Sequence, residues 1–337
     1  MNSKTTVFKH VFGPVPSRRL GRSLGVDLIP FKTCSYDCIY CQLGRTTHKT
    51  VERREYVPLS TVLDELRLKL KQTRPDYVTL SGSGEPTLYE PLGELIRGIR
   101  KITRIPLAVL TNGSLLWEPD VQQALLPADL VVPSLDGGDQ SAFEYANRPH
   151  RKITFEKMTT GLAEFRKQYK GQLWLEVFLL GGVTAIEAEV AKIASIARRL
   201  KPDRIQLNTV TRPPAEDFAF PVQPARLRLL RRIFGRSAEV IAEFRKPAST
   251  TGKADEHAVL GMLARRPCTL KDISGGLGLH PTQTGKILEH LLTAQSIEER
   301  RTEGQAYFQA APPPVSNRRK AGGTTVRQRK TQTTGRP

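Results

Sequence analysis

Between residues 22 and 234 short apolar runs alternate with longer amphipathic stretches. Leu24, Val26, Leu28 and Ile29 crowd residues 22–29 ahead of Pro30 and predict a first strand. After Pro58, Ser60 is placed to cap a helix that carries Val62, Leu63, Leu66 and Leu70 on one side. Further strands are predicted at residues 77–80, 107–110, 130–132, 173–180 and 204–207. Helical periodicity falls between them, at about 92–102, 121–126, 155–169, 187–200 and 225–234. Regular alternation of strand and helix predicts a parallel sheet with right-handed crossovers. Near-continuous apolar strands suit a sheet covered on both faces. Periodicity alone leaves a partial barrel and an open doubly wound sheet as alternatives.

The texture changes near residue 245. Residues 1–245 read as a core domain, and Lys246 to Gly252 have linker composition, with the linker drawn at 246–254. Residues 255–310 then carry three short helices, at 255–265, 269–277 and 282–294. A hairpin follows, from Ile297 to Arg301 and from Ala306 to Phe308. That order resembles a winged helix-turn-helix, whose third helix would expose Thr282, Gln283, Thr284 and Lys286 and whose wing would offer Arg300 and Arg301. The remainder, 311–337, is predicted to be a disordered basic tail.

Charge adds a candidate partner class. The formal net charge is +19, part of it in the tail and part in the body. Released counterions drive such a chain onto polyanions; a solvated basic tail is the plain alternative. No run approaches the ~20 apolar residues that span a bilayer, and residues 1–10 have no signal-peptide core, so a soluble cytoplasmic protein is expected. Three of the four cysteines lie together at Cys34, Cys38 and Cys41, which in a reducing compartment reads as metal binding; Cys268 stands apart.

Thiolates are the usual ligands of iron–sulfur clusters, and a complete protein shell for four irons takes four of them. Three cysteines in one loop leave one iron open. Structural zinc competes for the same loop, with His48 as a conceivable fourth ligand. The run Cys34-x3-Cys38-x-Tyr40-Cys41 resembles the signature of the radical S-adenosylmethionine (radical SAM) superfamily. Gly13 to Arg19, Asp27 to Pro30 and Cys41 to Gly44 are similar to the branch that includes the wyosine-type transfer-RNA synthases, over roughly residues 10–245.

The resemblance implies a partial (β/α)6 barrel of the TIM-like kind, with its site at the carboxyl ends of the strands. It implies a [4Fe-4S] cluster on Cys34, Cys38 and Cys41, S-adenosyl-L-methionine on the open iron, and a reducing electron donor such as flavodoxin or ferredoxin. Ser81 to Thr87 then resembles the superfamily's Gly-Gly-Glu-Pro turn, making Gly82, Gly84, Glu85 and Pro86 cofactor candidates, with a serine where a glycine is often found. Tyr40, Asn112, Ser134, Asp136 and Asn208 join them by position, though a turn or a cap explains several equally well. Glu176 lies within an apolar strand, where a carboxylate is paired or lines a cavity. Arg148 and His150 are candidates for substrate contact.

Three functions follow. The first is a radical SAM enzyme that modifies a nucleic acid such as tRNA, recruited by the C-terminal domain and tail. The second keeps the chemistry but docks a protein or peptide. The third is an iron–sulfur transcription regulator, which has no need of the Gly84-Glu85-Pro86 turn. Wyosine synthases carry upstream cysteines for a second cluster; no cysteine precedes Cys34 here, so the resemblance carries the core chemistry and not that specific reaction.

Overall fold

A computed structural model describes residues 8–241, 256–302 and 304–311. The predicted linker and basic tail lie outside the described residues, apart from Ala311. In chain order, β1 (Val11–Ser17) and β2 (Gly21–Val26) form an antiparallel hairpin. Two-residue strands β3 (Thr33–Cys34) and β4 (His48–Lys49) pair across the cysteine loop. The alternating body follows as α1 (Leu59–Gln72), β5 (Tyr77–Leu80), α2 (Leu92–Ile102), β6 (Leu107–Thr111), α3 (Pro119–Leu125) and β7 (Leu130–Pro133). It continues with α4 (Gln140–Asn147), α5 (Phe155–Gln168), β8 (Gln172–Phe178), α6 (Glu187–Leu200), β9 (Arg204–Asn208), α7 (Pro224–Phe234) and β10 (Ala238–Val240).

One sheet runs β1-β2-β5-β6-β7-β8-β9-β10, parallel everywhere except at β1–β2. The six expected parallel strands are present, with an added strand at each edge. Pro14 and Pro16 suit β1 to an edge, where missing N–H groups cost no ladder bond, and they also broke its sequence pattern. The first strand stops at Val26, short of the predicted Ile29, because Asp27 turns to accept from Ser83. Ser60 is not a cap. The helix opens after Pro58, and the Leu59 amide is satisfied by Glu55 Oε1 at 2.7 Å.

Alternate strand residues divide two cores. One face packs Leu80, Val109 and Val177 against Leu66, Ile96 and Phe165 of the helices, all fully buried. Each such side chain contributes about 1.5–3 kcal/mol. The other face gathers Leu20, Ala108, Leu130, Val132 and Trp174. Leu20, in the β1–β2 turn, meets residues of β6, β7 and β8, so the sheet curls on itself, with Leu20 packed on Trp174 beneath its lumen. Gly25 is required where Phe12 crosses it, since a Cβ would lie 2.1 Å from the ring.

Beyond the sheet lie α8 (Glu256–Leu263), α9 (Leu270–Leu277), α10 (Pro281–Thr293), β11 (Ile297–Thr302) and β12 (Gln305–Ala310). This is the expected order of three helices and a hairpin. The unit has its own core of Val259, Met262, Ile273, Leu288, Ile297 and Phe308, in which Cys268 is buried as a plain apolar residue. Thr284, expected on the exposed face of α10, is instead fully buried and bonded to Ser274 Oγ at 2.9 Å. The unit covers β1: Val15 packs into its core, and Arg265 and Arg266 donate to the Lys9 and Pro16 carbonyls at 2.8 and 3.4 Å. Tyr307 Oη donates to Thr211 O at 3.3 Å, so the unit also reaches the segment after β9. It therefore bridges the open side of the curled sheet.

Candidate active site

The cysteine loop leaves the carboxyl end of β2 and is held by long-range bonds rather than by regular structure. Ile39 N–H donates to Ala146 O at 3.0 Å, Asp37 N–H to Asn147 O at 3.0 Å, and His150 N–H to Ser35 O at 2.8 Å. All three partners lie at or just past the end of α4, an unforeseen helix capped by Asp139. Ser35 Oγ meets Ser114 Oγ at 2.6 Å. Two side-chain amides point at sulfur: Asn112 Nδ2 lies 3.6 Å from Cys34 Sγ and Asn147 Nδ2 3.5 Å from Cys38 Sγ.

Burial, then the Glu85 carboxylate and, more weakly, Cys41, push the Cys34 thiol up to about 12. Burial and the other two thiols push Cys38 up, and burial pushes Cys41 up. Three thiols whose charges oppose one another in a half-buried loop call for a cationic partner that takes them as thiolates. His48 is exposed on β4, and among the described residues no group of three or more His, Cys, Asp or Glu is gathered on a single-ion site. The donor set fits a [4Fe-4S] group.

Around the loop, Tyr40 stacks on Phe178 with ring centres 3.9 Å apart and donates to Asp136. Asp136 also accepts from Asn147 at 2.8 Å and from Phe178 N–H at 3.0 Å; burial pushes its carboxyl up to about 6 despite these bonds. Glu85 accepts from Thr87 and Thr111 hydroxyls at 2.6 Å and from Asn112 N–H at 2.7 Å. Its carboxylate thereby ties the loop after β5 to the loop after β6 and fixes Asn112. Gly84 sits where a Cβ would meet Thr33 O at 1.9 Å, so only glycine lets the turn under the cysteine loop. Pro86 opens a short 3-10 turn behind it.

The lumen between these loops and Leu20 holds a cavity of about 380 Å³. Of the expected residues, Tyr40, Cys41, Gly82, Ser134 and Asn208 line it, whereas Gly84, Glu85, Pro86, Asn112 and Asp136 stand behind the lining. Glu176 lines it too, paired with Arg19 at 2.7 Å and accepting from Asn208 Nδ2 at 2.8 Å. Burial would raise this carboxyl, but Arg19, Asn208 and Arg18 outweigh it and hold it below the usual range. Arg148 is engaged by Glu216 at 2.5 Å, and His150 accepts from Lys152 N–H; neither lines the cavity. Sequence reasoning missed Asn147 and Gln42. Asn147 lies 109 positions from the sulfur it faces, and no local spacing announces it.

Residues 28–209 match the Radical SAM superfamily. The chain belongs to the radical SAM superfamily. Membership makes it a radical SAM enzyme, with an iron–sulfur cluster and S-adenosylmethionine as cofactors. A UPF0026 protein of Methanocaldococcus jannaschii is 40% identical over 235 residues, covering 69% of this chain and 72% of the relative. A Brachyspira hyodysenteriae protein named GTPase Obg is 38% identical over 301 residues, or 88% of this chain. The chain spans only 44% of that relative's length. Among solved structures, a radical SAM methyltransferase from Sphaerobacter thermophilus superposes with a TM-score of 0.52 at 16% identity, covering 65% of each chain. Streptococcus suis SuiB gives 0.50 at 15% identity, covering 65% of this chain and 49% of SuiB. These two likenesses concern the fold alone. Among the described residues no helix is long and apolar enough to cross a membrane.

Proposed function

We propose that Cys34, Cys38 and Cys41 ligate the cluster, and that Tyr40, Gly82, Ser134 and Asn208 line the place of S-adenosylmethionine. The observation that carries this reading is the set of three half-buried thiols in one loop with amide donors on two of them. Such hydrogen bonds to sulfur tune a cluster's potential. When bound, the pair supplies a one-electron cleavage of the sulfonium that ends in hydrogen abstraction from the substrate. The chain's own residues supply the positioning. Asp136 and Asn147 hold Tyr40, Glu85 holds Asn112, and Gly84 with Pro86 shapes the turn beneath the loop. Leu20, packed on Trp174, lines the cavity, and the C-terminal unit lines it through Met262, Arg265 and Arg266.

For the substrate we favour a nucleic acid such as tRNA, in line with the resemblance to the wyosine branch. Support comes from the net charge of +19 and from exposed Thr282, Gln283 and Lys286 on α10, with α8–α10 and the hairpin read as a winged helix. A peptide substrate is the second reading. Arg300 is paired with Asp217 at 3.2 Å and Arg301 with Glu299 at 2.8 Å, which neutralises the hairpin and suits a protein surface. A flavodoxin or ferredoxin is proposed as electron donor.

Anaerobic reconstitution of the full chain tests the first step. Added S-adenosylmethionine should change the cluster's electron paramagnetic resonance, and a reductant should then yield 5′-deoxyadenosine; a signal indifferent to the cofactor overturns the assignment. Binding of tRNA should weaken with a log–log salt slope of roughly −4 to −5 for about five phosphate contacts. A flat slope favours the peptide.

A further inference from the structure

Arg265 stands just past α8, and its guanidinium joins three segments. Nη1 donates to Gly261 O of its own helix at 3.0 Å, and Nη2 donates to Lys9 O, ahead of β1, at 2.8 Å. Nε lies 3.6 Å from Asp27 Oδ2, and the guanidinium carbon lies 4.4 Å from the centre of the Phe12 ring. Both members of the ion pair are withdrawn from water, with side chains 14% and 10% exposed. At that burial neither charge is removed without leaving the other poorly solvated.

Asp27 carries the contact onward, to the turn after β5. Its Oδ1 accepts from Ser83 N–H at 3.0 Å, and its Oδ2, the oxygen that faces Arg265, accepts from Ser83 Oγ at 2.6 Å. Gly82 passes so close that a Cβ there would lie 2.4 Å from the Asp27 carboxylate. Ser83 O in turn accepts from Lys32 N–H at 2.8 Å, two positions before Cys34. Ser81 and Gly82 of the same turn line the cavity. A contact that merely fastened the C-terminal unit could end anywhere on the core, as Arg266 to Pro16 O and Arg300 to Asp217 do. The Arg265–Asp27 pair ends instead on the turn read as the cofactor's and, one bond further, on the entrance to the cysteine loop.

We propose that Arg265 and Asp27 are positioning residues for S-adenosylmethionine: through them, docking of the C-terminal unit sets the turn at 81–84. This rests on the reading of that turn as part of the cofactor site and deepens it. Coupling between two sites is reciprocal. The docked unit therefore raises the cofactor's affinity, and the bound cofactor holds the unit down by the same factor. The C-terminal unit acquires a role in the core chemistry that is independent of whatever its outer face recruits.

The test uses the anaerobically reconstituted full chain, titrated calorimetrically with S-adenosylmethionine and normalised to iron content. Asp27→Asn and Arg265→Gln should each weaken the cofactor about tenfold. The double variant should be no more than about twofold worse than the weaker single, since one interaction is being removed twice. Arg300→Gln breaks another contact between the same two parts and should leave the affinity within about twofold of wild type. A second measurement needs no variant. Saturating S-adenosylmethionine should slow hydrogen exchange of the α8 amides in the wild-type chain at least about fivefold. Four results overturn the proposal: Arg265→Gln binds the cofactor as wild type does, the single losses multiply in the double variant, Arg300→Gln loses as much, or α8 exchanges at the same rate with the cofactor bound. The cofactor reading itself fails separately, if the wild-type titration shows no binding and no 5′-deoxyadenosine forms, so the two failures are distinguishable.

Discussion

The two ends of the lumen are electrostatic opposites. At the loop end, burial raises the three thiols, Asp136 and Glu85, so their anionic forms are disfavoured until a cation arrives. At the other end, burial and neighbouring arginines lower Arg18 and Arg212, so their cationic forms are disfavoured. The same desolvation thus acts with opposite sign on two sets of groups. It disfavours anions at one end and cations at the other.

The comparison breaks first at the thiols. Cys38→Ala should lose most of the iron and all 5′-deoxyadenosine production, read by iron analysis and product chromatography; full production in the variant would show that the ligands are misassigned. Next in size is Glu176→Gln. Leaving Arg19 without its buried carboxylate should cost about 3–5 kcal/mol of stability, read from the urea midpoint. The same pair predicts a pH effect. The Glu176 carboxyl is held below its usual 4.5 in the folded state, so its contribution is complete above that pH and disappears as pH falls below it. The wild-type chain should therefore lose stability more steeply than Glu176→Gln on acidification below about pH 4.5. An unchanged midpoint would mean that the pair is solvated. The mildest change, Asn147→Ala, removes one amide that serves Cys38 Sγ, Tyr40 and Asp136, and should cost about 1–3 kcal/mol. Its cluster should still assemble, with a shifted midpoint potential in a redox titration; an identical potential would demote Asn147 to a brace for Tyr40.

Most of the fold was legible from local pattern. Strand β5 and helices α2 and α6 fall on the predicted residues because apolar period and helix length agree there. β1 was missed because Pro14 and Pro16 break its alternation, and β10 because three residues carry no period. α4 was missed because Asp139 and Gln140 to Asn147 offer only two turns of pattern after a Gly-rich turn. Ser60 misled because a good capping residue stood one position inside a helix already started after proline.

By itself, the order of residues determined the alternating body and the presence of a thiol triad, since both depend on neighbours within a few positions. Only the tertiary structure decided that Asn147 would face Cys38, that Glu85 would spend its oxygens on Thr87, Thr111 and Asn112, and that Arg18, Arg212 and Arg266 would converge. Those contacts join segments that meet only after the sheet curls and the C-terminal unit docks across its edge. Curvature and docking are properties of packed surfaces, and no short stretch of chain encodes them.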